Sequence, residues 1–191
     1  MIRIGESKQG GRILARKAVK LAEAEEIVRP ILEAVRRRGD AALMEYARKF
    51  DQLGRKSVAV PLAELAEAEA SLPAKFRDAI RIAEKHIRTF ARLQLPPEKS
   101  KQIVGGIKLG QIVRPLDTVG AYIPSGRYPL PSTLLMTVIP AQEAGVPNVC
   151  VASPRAVCEI YGTASYLKVN RVFQMGGAQA IAAFAYGTKT V

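Results

Sequence analysis

From Thr118 to Val191, apolar runs alternate with helix-type segments in one repeating order. Val119–Ile123 reads as a strand, Ser132–Ala144 as a mostly apolar helix after a proline loop, and Asn148–Ala152 as a second strand. Cys158–Leu167 reads as a helix, Arg171–Gln174 as a third strand, and Gly176–Tyr186 as an alanine-rich helix. Strands separated by helices are expected to run parallel, because each helix returns the chain to the same end of the sheet. The expected class is therefore α/β: an N-terminal helical segment followed by an incomplete Rossmann-like parallel sheet. The same alternation leads us to expect a further strand and loop after Val191.

The residues before Thr118 obey a different period. Ala24, Ile27, Val28, Ile31, Leu32 and Val35 recur at helical spacing, with Pro30 implying a kink or a late start. Gly39 is placed to end that helix, and Asp40 to cap the next, AALMEYARKF. A short strand is expected at Ser57–Val60. Pro61 and Pro73 each open a helix, the second carrying Phe76, Ile80, Ala83, Ile87, Phe90 and Leu93 along one face. Gly105-Gly106 between two β-rich runs is a hairpin signal. The expected organisation is an arm over 1–20, a mainly helical segment with a hairpin over 21–116, and a truncated Rossmann-like domain over 117–191.

Composition narrows the function classes. The chain has 191 residues, 29 Lys/Arg against 17 Asp/Glu, and a net charge of +12. The basic excess is spread along the chain, and aromatics make up only 6%. It therefore reads as a solvated basic surface rather than a nucleic-acid interface. No run approaches the roughly 18 apolar residues that suggest a membrane span. Two cysteines, Cys150 and Cys158, make neither a disulfide framework nor a four-ligand metal site, and a reducing cytoplasm is the expected compartment.

Two loops are placed to bind a ligand. Tyr122-Ile-Pro-Ser-Gly-Arg-Tyr-Pro follows the first predicted strand, at the end where open α/β sheets bind ligands. Tyr122 can stack on a nucleotide or pack at the strand end, and spacing alone does not choose between the two. Gln174-Met-Gly-Gly-Ala-Gln follows the third strand and opens a helix, whose first N–H groups attract phosphate. It can equally be a tight turn that needs glycine. It is not a G-x-G-x-x-G fingerprint. His86, the single histidine, has no ligating neighbours at metal spacing and reads as a surface or packing residue. No Ser-His-Asp or Cys-His set can be assembled, and Asp117, Glu143 and Glu159 are separated by whole elements.

Several stretches together resemble the histidinol dehydrogenase family. RRRGDAALMEYARKFD is similar to the family's Arg-Gly-Asp-Ala-Ala-Leu segment, which leads to a Tyr and then Phe-Asp. KHIRTFARLQLP is similar to a family helix that often has His where Ala91 stands. GIKLGQIVRPLDTVGAYIPSGRYPLPSTLLMTVIPAQEAGV resembles its most recognisable N-terminal block, and GGAQAIAAFAYGT is the most specific match. The resemblance implies a zinc- and NAD-dependent homodimer that oxidises L-histidinol through the aldehyde to L-histidine. By motif position, Tyr122 and Gln174 resemble the family's NAD-contacting tyrosine and glutamine.

Ser125 stands where the family usually has glycine, and the crossover between Ser153 and Arg171 is short. The family's third NAD contact, in a Gly-Pro-Gly-Asn loop, its zinc ligands and its Glu-His catalytic pair match no position of this sequence. The 191 residues alone are therefore expected to be inactive. A related dehydrogenase of another small alcohol, and a non-catalytic nucleotide- or partner-binding remnant, are the alternative readings.

Overall fold

The computed structural model describes residues 10–126, 128–155 and 157–191, with side chains from Leu21 onward. The described residues open with four helices: α1 (Gly10–Arg38), α2 (Asp40–Asp51), α3 (Leu62–Ser71) and α4 (Ala74–Gln94). A hairpin of β1 (Lys99–Gln102) and β2 (Lys108–Gln111) follows. Then come β3 (Thr118–Tyr122), α5 (Pro131–Glu143), β4 (Asn148–Ser153), α6 (Cys158–Tyr166), β5 (Arg171–Gln174) and α7 (Gly177–Tyr186). The expected α/β class and the strand–helix alternation are both present.

The sheet order is β3-β4-β5, all parallel, with Tyr122 opposite Ala152 and Ser153 opposite Gln174. Right-handed crossovers in a sheet laid down in this order put successive helices on one face. Accordingly α5 and α6 lie with α3 and α4 over Ala121, Val149, Val151 and Val172. The other face, Cys150, Ala152 and Phe173, is covered by α1, α2 and α7. β4 is buried from Val149 to Ser153, as a strand covered on both faces must be.

The outer edge of β5 is also closed. Val58–Val60 runs antiparallel to it, with Gln174 N–H donating to Val58 O at 2.7 Å and Val60 N–H to Val172 O at 2.9 Å. The strand expected at Ser57–Val60 is therefore a single bridge, short but placed where it fixes Gln174.

Several local expectations need correction. Residues 10–20, expected within an arm, form the first turns of α1, and residues 1–9 lie outside the described residues. The helix runs through Pro30, where one backbone hydrogen bond is forfeited. Gly39 does end α1, at φ 53°, but Asp40 does not cap α2. Its carboxylate instead accepts from Thr190 N–H at 3.2 Å and Thr190 Oγ at 2.6 Å, tying the last residues to the helices. The apolar face of α4 is only partly used. Ile80 is buried and Phe76, Ala83 and Ile87 pack on the core, whereas Phe90 and Leu93 are exposed. The hairpin forms as expected around Gly105 and Gly106, and both of its strands are solvent-exposed throughout.

Candidate functional site

The carboxyl ends of β3, β4 and β5 lie side by side and carry Tyr122, Ser153 and Gln174. α7 lies on the opposite face from α5 and α6 and crosses back over β3, where a Cβ at Gly120 would be 2.6 Å from the Phe184 ring. In open α/β sheets a change of helix face marks the ligand crevice, outside the strand ends. The two residues singled out from sequence are thus at one end of one sheet.

They are not on one face of it. Side chains alternate along a strand, so Tyr122 shares a face with its partner Ala152 and with Phe173. Gln174 shares the other face with Ser153. Tyr122 is half-buried against the core of the α1–α2–α7 face, and its hydroxyl accepts a hydrogen bond from Gly177 N–H at 3.3 Å. That bond joins the Tyr122 loop to the Gly-Gly turn. Gln174 is 8% exposed. Beside it, the Ser153 hydroxyl is fully buried and has no hydrogen-bond partner among the described residues. The Tyr161 hydroxyl, in the core on the α5–α6 face, is buried and unpaired as well.

Two clefts open here. One, of about 240 Å³, is lined by Phe50, Asp51, Gln52, Ser125, Pro154 and Arg155. The other, of about 90 Å³, lies between the Pro124–Leu130 loop and Arg155, Val157 and Ile160. Ser125 and Arg155 border both, so the clefts adjoin. Ser125 is not among the residues with a left-handed backbone, so serine sits in the loop without the strain that a replaced glycine can bring.

Asp51 has no role in the sequence analysis, where it only closes the Phe-Asp of the family-like segment. At the end of α2, its Oδ2 accepts from Gly176 N–H at 2.9 Å and from Gln179 Nε2 at 3.0 Å. Burial pushes its carboxyl above the usual carboxylate value, and those two hydrogen bonds pull the other way without reversing it. Its partners lie more than a hundred residues away, so no local pattern could have shown these contacts.

The remaining sequence candidates fall elsewhere. His86 is exposed on α4, in a cleft with Phe90 and Met136. Cys150 is buried in β4, which pushes its thiol up, as befits a small core residue. Glu143 lies at the end of α5, at the opposite end of the sheet from Tyr122, held by Arg88 and Arg92. Among the described residues no group of three or more His, Cys, Asp or Glu could hold a metal. No described helix is long and apolar enough to cross a membrane.

The fold defines an α/β protein built on a parallel three-stranded sheet whose carboxyl ends border a crevice. The sequence model of the histidinol dehydrogenase family matches residues 14–191, and the chain belongs to that family. It is 48% identical over 168 residues to the histidinol dehydrogenase of Thermus thermophilus, covering 87% of this chain and 40% of that protein. It is 42% identical over 199 residues to the one from Symbiobacterium thermophilum, covering 100% of this chain and 45% of the relative. The crystal structure of histidinol dehydrogenase from Elizabethkingia anophelis superposes with a TM-score of 0.81 at 28% identity, covering all of this chain and 42% of that one. The chain spans less than half the length of these relatives.

Proposed function

We propose that this chain is the NAD-binding portion of a histidinol dehydrogenase, an enzyme that oxidises L-histidinol through the aldehyde to L-histidine in the cytoplasm. What supports this reading is the convergence of Tyr122 and Gln174 at the carboxyl ends of β3 and β5, in a chain of that family. Residues 117–191 form the cofactor domain in this reading, and residues 21–116 belong to a larger domain of a homodimer. When bound, NAD supplies the hydride acceptor for such an oxidation.

The residues at the crevice suit the cofactor in kind. The Tyr122 ring offers an aromatic face while its hydroxyl stays anchored to Gly177. Gln174 offers both a donor and an acceptor amide, and Ser153 Oγ is an unsatisfied polar atom beside it. Zinc is a different matter. The described residues hold no ligand cluster for it, so no zinc step is assigned to this chain.

The 191 residues alone are expected to bind NAD weakly and to show no turnover of L-histidinol. In a calorimetric titration, Tyr122→Ala and Gln174→Ala are each expected to weaken NAD binding about tenfold, the loss of one well-placed polar or stacking contact. Unchanged binding in both variants would remove the site assignment. NAD-dependent oxidation of L-histidinol by this chain would contradict the expected inactivity.

A further inference from the structure

The first N–H groups of a helix that follows a parallel strand are the usual resting place of a dinucleotide's phosphates. At the start of α7 the two glycine N–H groups are already taken. Gly176 N–H is bound to Asp51 Oδ2 at 2.9 Å, and Gly177 N–H to Tyr122 Oη at 3.3 Å. Gln179, 1% exposed in the first turn, turns its amide N–H onto the same carboxylate at 3.0 Å. The space is closed as well as the hydrogen bonds: a Cβ at Gly176 would lie 2.6 Å from Pro154 and 2.9 Å from Asp51 Oδ1. Asp51 thus places a negative charge at the positive end of the helix, where a phosphate would meet like charge.

We propose that Asp51 is a positioning residue of the NAD site, filling the anion position of α7 with the protein's own carboxylate so that the cofactor's pyrophosphate binds away from that helix end. Through the Gly176-Gly177 turn it also fixes the N–H that orients Tyr122. The positioning of the cofactor rests on the NAD reading above, whereas the filled anion position does not. The arrangement supplies a physical reason for a nucleotide crevice without the glycine fingerprint, since there is no phosphate for those glycines to approach.

The test is NMR titration of the 191-residue chain with inorganic pyrophosphate and, separately, with NAD. In the wild type, millimolar pyrophosphate should leave the Gly176 and Gly177 amide signals unmoved. In Asp51→Ala and Asp51→Asn the same signals should shift saturably with pyrophosphate, while NAD binding weakens about tenfold. Asp51→Glu, which keeps an anion there, should stay closed to pyrophosphate. Asn preserves the shape and an acceptor oxygen, so it carries the test if Asp51→Ala does not fold. Pyrophosphate binding at Gly176-Gly177 in the wild type, or no gained response in the folded variants, overturns the proposal. A wild type that binds no NAD overturns the functional reading instead, and the pyrophosphate response still decides whether Asp51 fills the anion position.

Discussion

Phe173→Ala is expected to lower the stability of the chain by about 3–5 kcal/mol, the cost of emptying a large aromatic site in a core that cannot collapse around it. Phe173 is 0% exposed at the centre of β5, edge-on to Phe184 of α7 with ring centroids 6.0 Å apart. Its backbone lies opposite Ala59, so the same residue stands between the sheet and the segment that closes the sheet's edge. A loss of that size is a large fraction of a domain's whole stability. Phe173→Leu, which keeps most of the volume, should cost about 1–1.5 kcal/mol. Urea unfolding followed by circular dichroism measures both. Because Gln174 is the next residue, Phe173→Ala should also weaken NAD binding under conditions where it remains folded. A cost below about 1 kcal/mol would mean that Phe173 is not the core residue described.

The second large effect is expected at Arg88, which joins α4 to α5. Its guanidinium reaches Glu84 at 2.7 Å, Glu143 at 2.6 Å and Gln142 at 3.2 Å. The Arg88, Glu84 and Glu143 side chains are only 26%, 23% and 10% exposed, so removing the cation leaves two carboxylates close together and poorly solvated. Arg88→Met should therefore cost about 2–3 kcal/mol, just under the range for breaking a fully buried pair. Arg92 also holds Glu143, but it is 64% exposed, and Arg92→Met should cost about 0.5 kcal/mol.

The same cluster sets a pH dependence. Hydrogen bonds from Arg92 and Arg88 hold Glu143 below the usual carboxylate value, against burial. Burial pushes Glu84 up, but the Tyr166 hydroxyl and Arg88 outweigh it, and the net direction is down. Depressed carboxylates stabilise the fold above their ordinary values, and the contribution is lost as pH falls through the folded ones. Acid melts should therefore lose stability in that window, and Arg88→Met should flatten the loss. Equal costs at Arg88 and Arg92 would contradict the bridge between the helices.

Periodicity carried a good part of this fold. Every strand of the parallel sheet lies within a residue of its expected place, because strands covered on both faces read as short apolar runs between glycines and prolines. The helix boundaries set by Gly39, Pro61 and Pro73 were legible for the same local reason. What the sequence did not contain was pairing at long range. Asp40 was read as a helix cap because of its neighbours, but the hydroxyl it meets is on Thr190. The face of α4 was read as one continuous stripe, whereas α5 and α6 cover only part of it and leave Phe90 and Leu93 in solvent.

The site divides in the same way. The places of Tyr122 and Gln174 at strand ends were legible, because each closes a short apolar run. Their placement on opposite faces follows from register, which needs the partner strand. The contact of Asp51 with Gly176 and Gln179 emerged only from the fold, since it joins segments more than a hundred residues apart.

The central claim is that the carboxyl ends of β3 and β5 hold NAD, and backbone-amide NMR during an NAD titration tests it most directly. Saturable shifts are expected at Tyr122, Ile123, Ser153 and Gln174, with the hairpin residues 99–111 and the exposed face of α4 unmoved. Shifts confined to the hairpin or α4, or none at millimolar NAD, would contradict it.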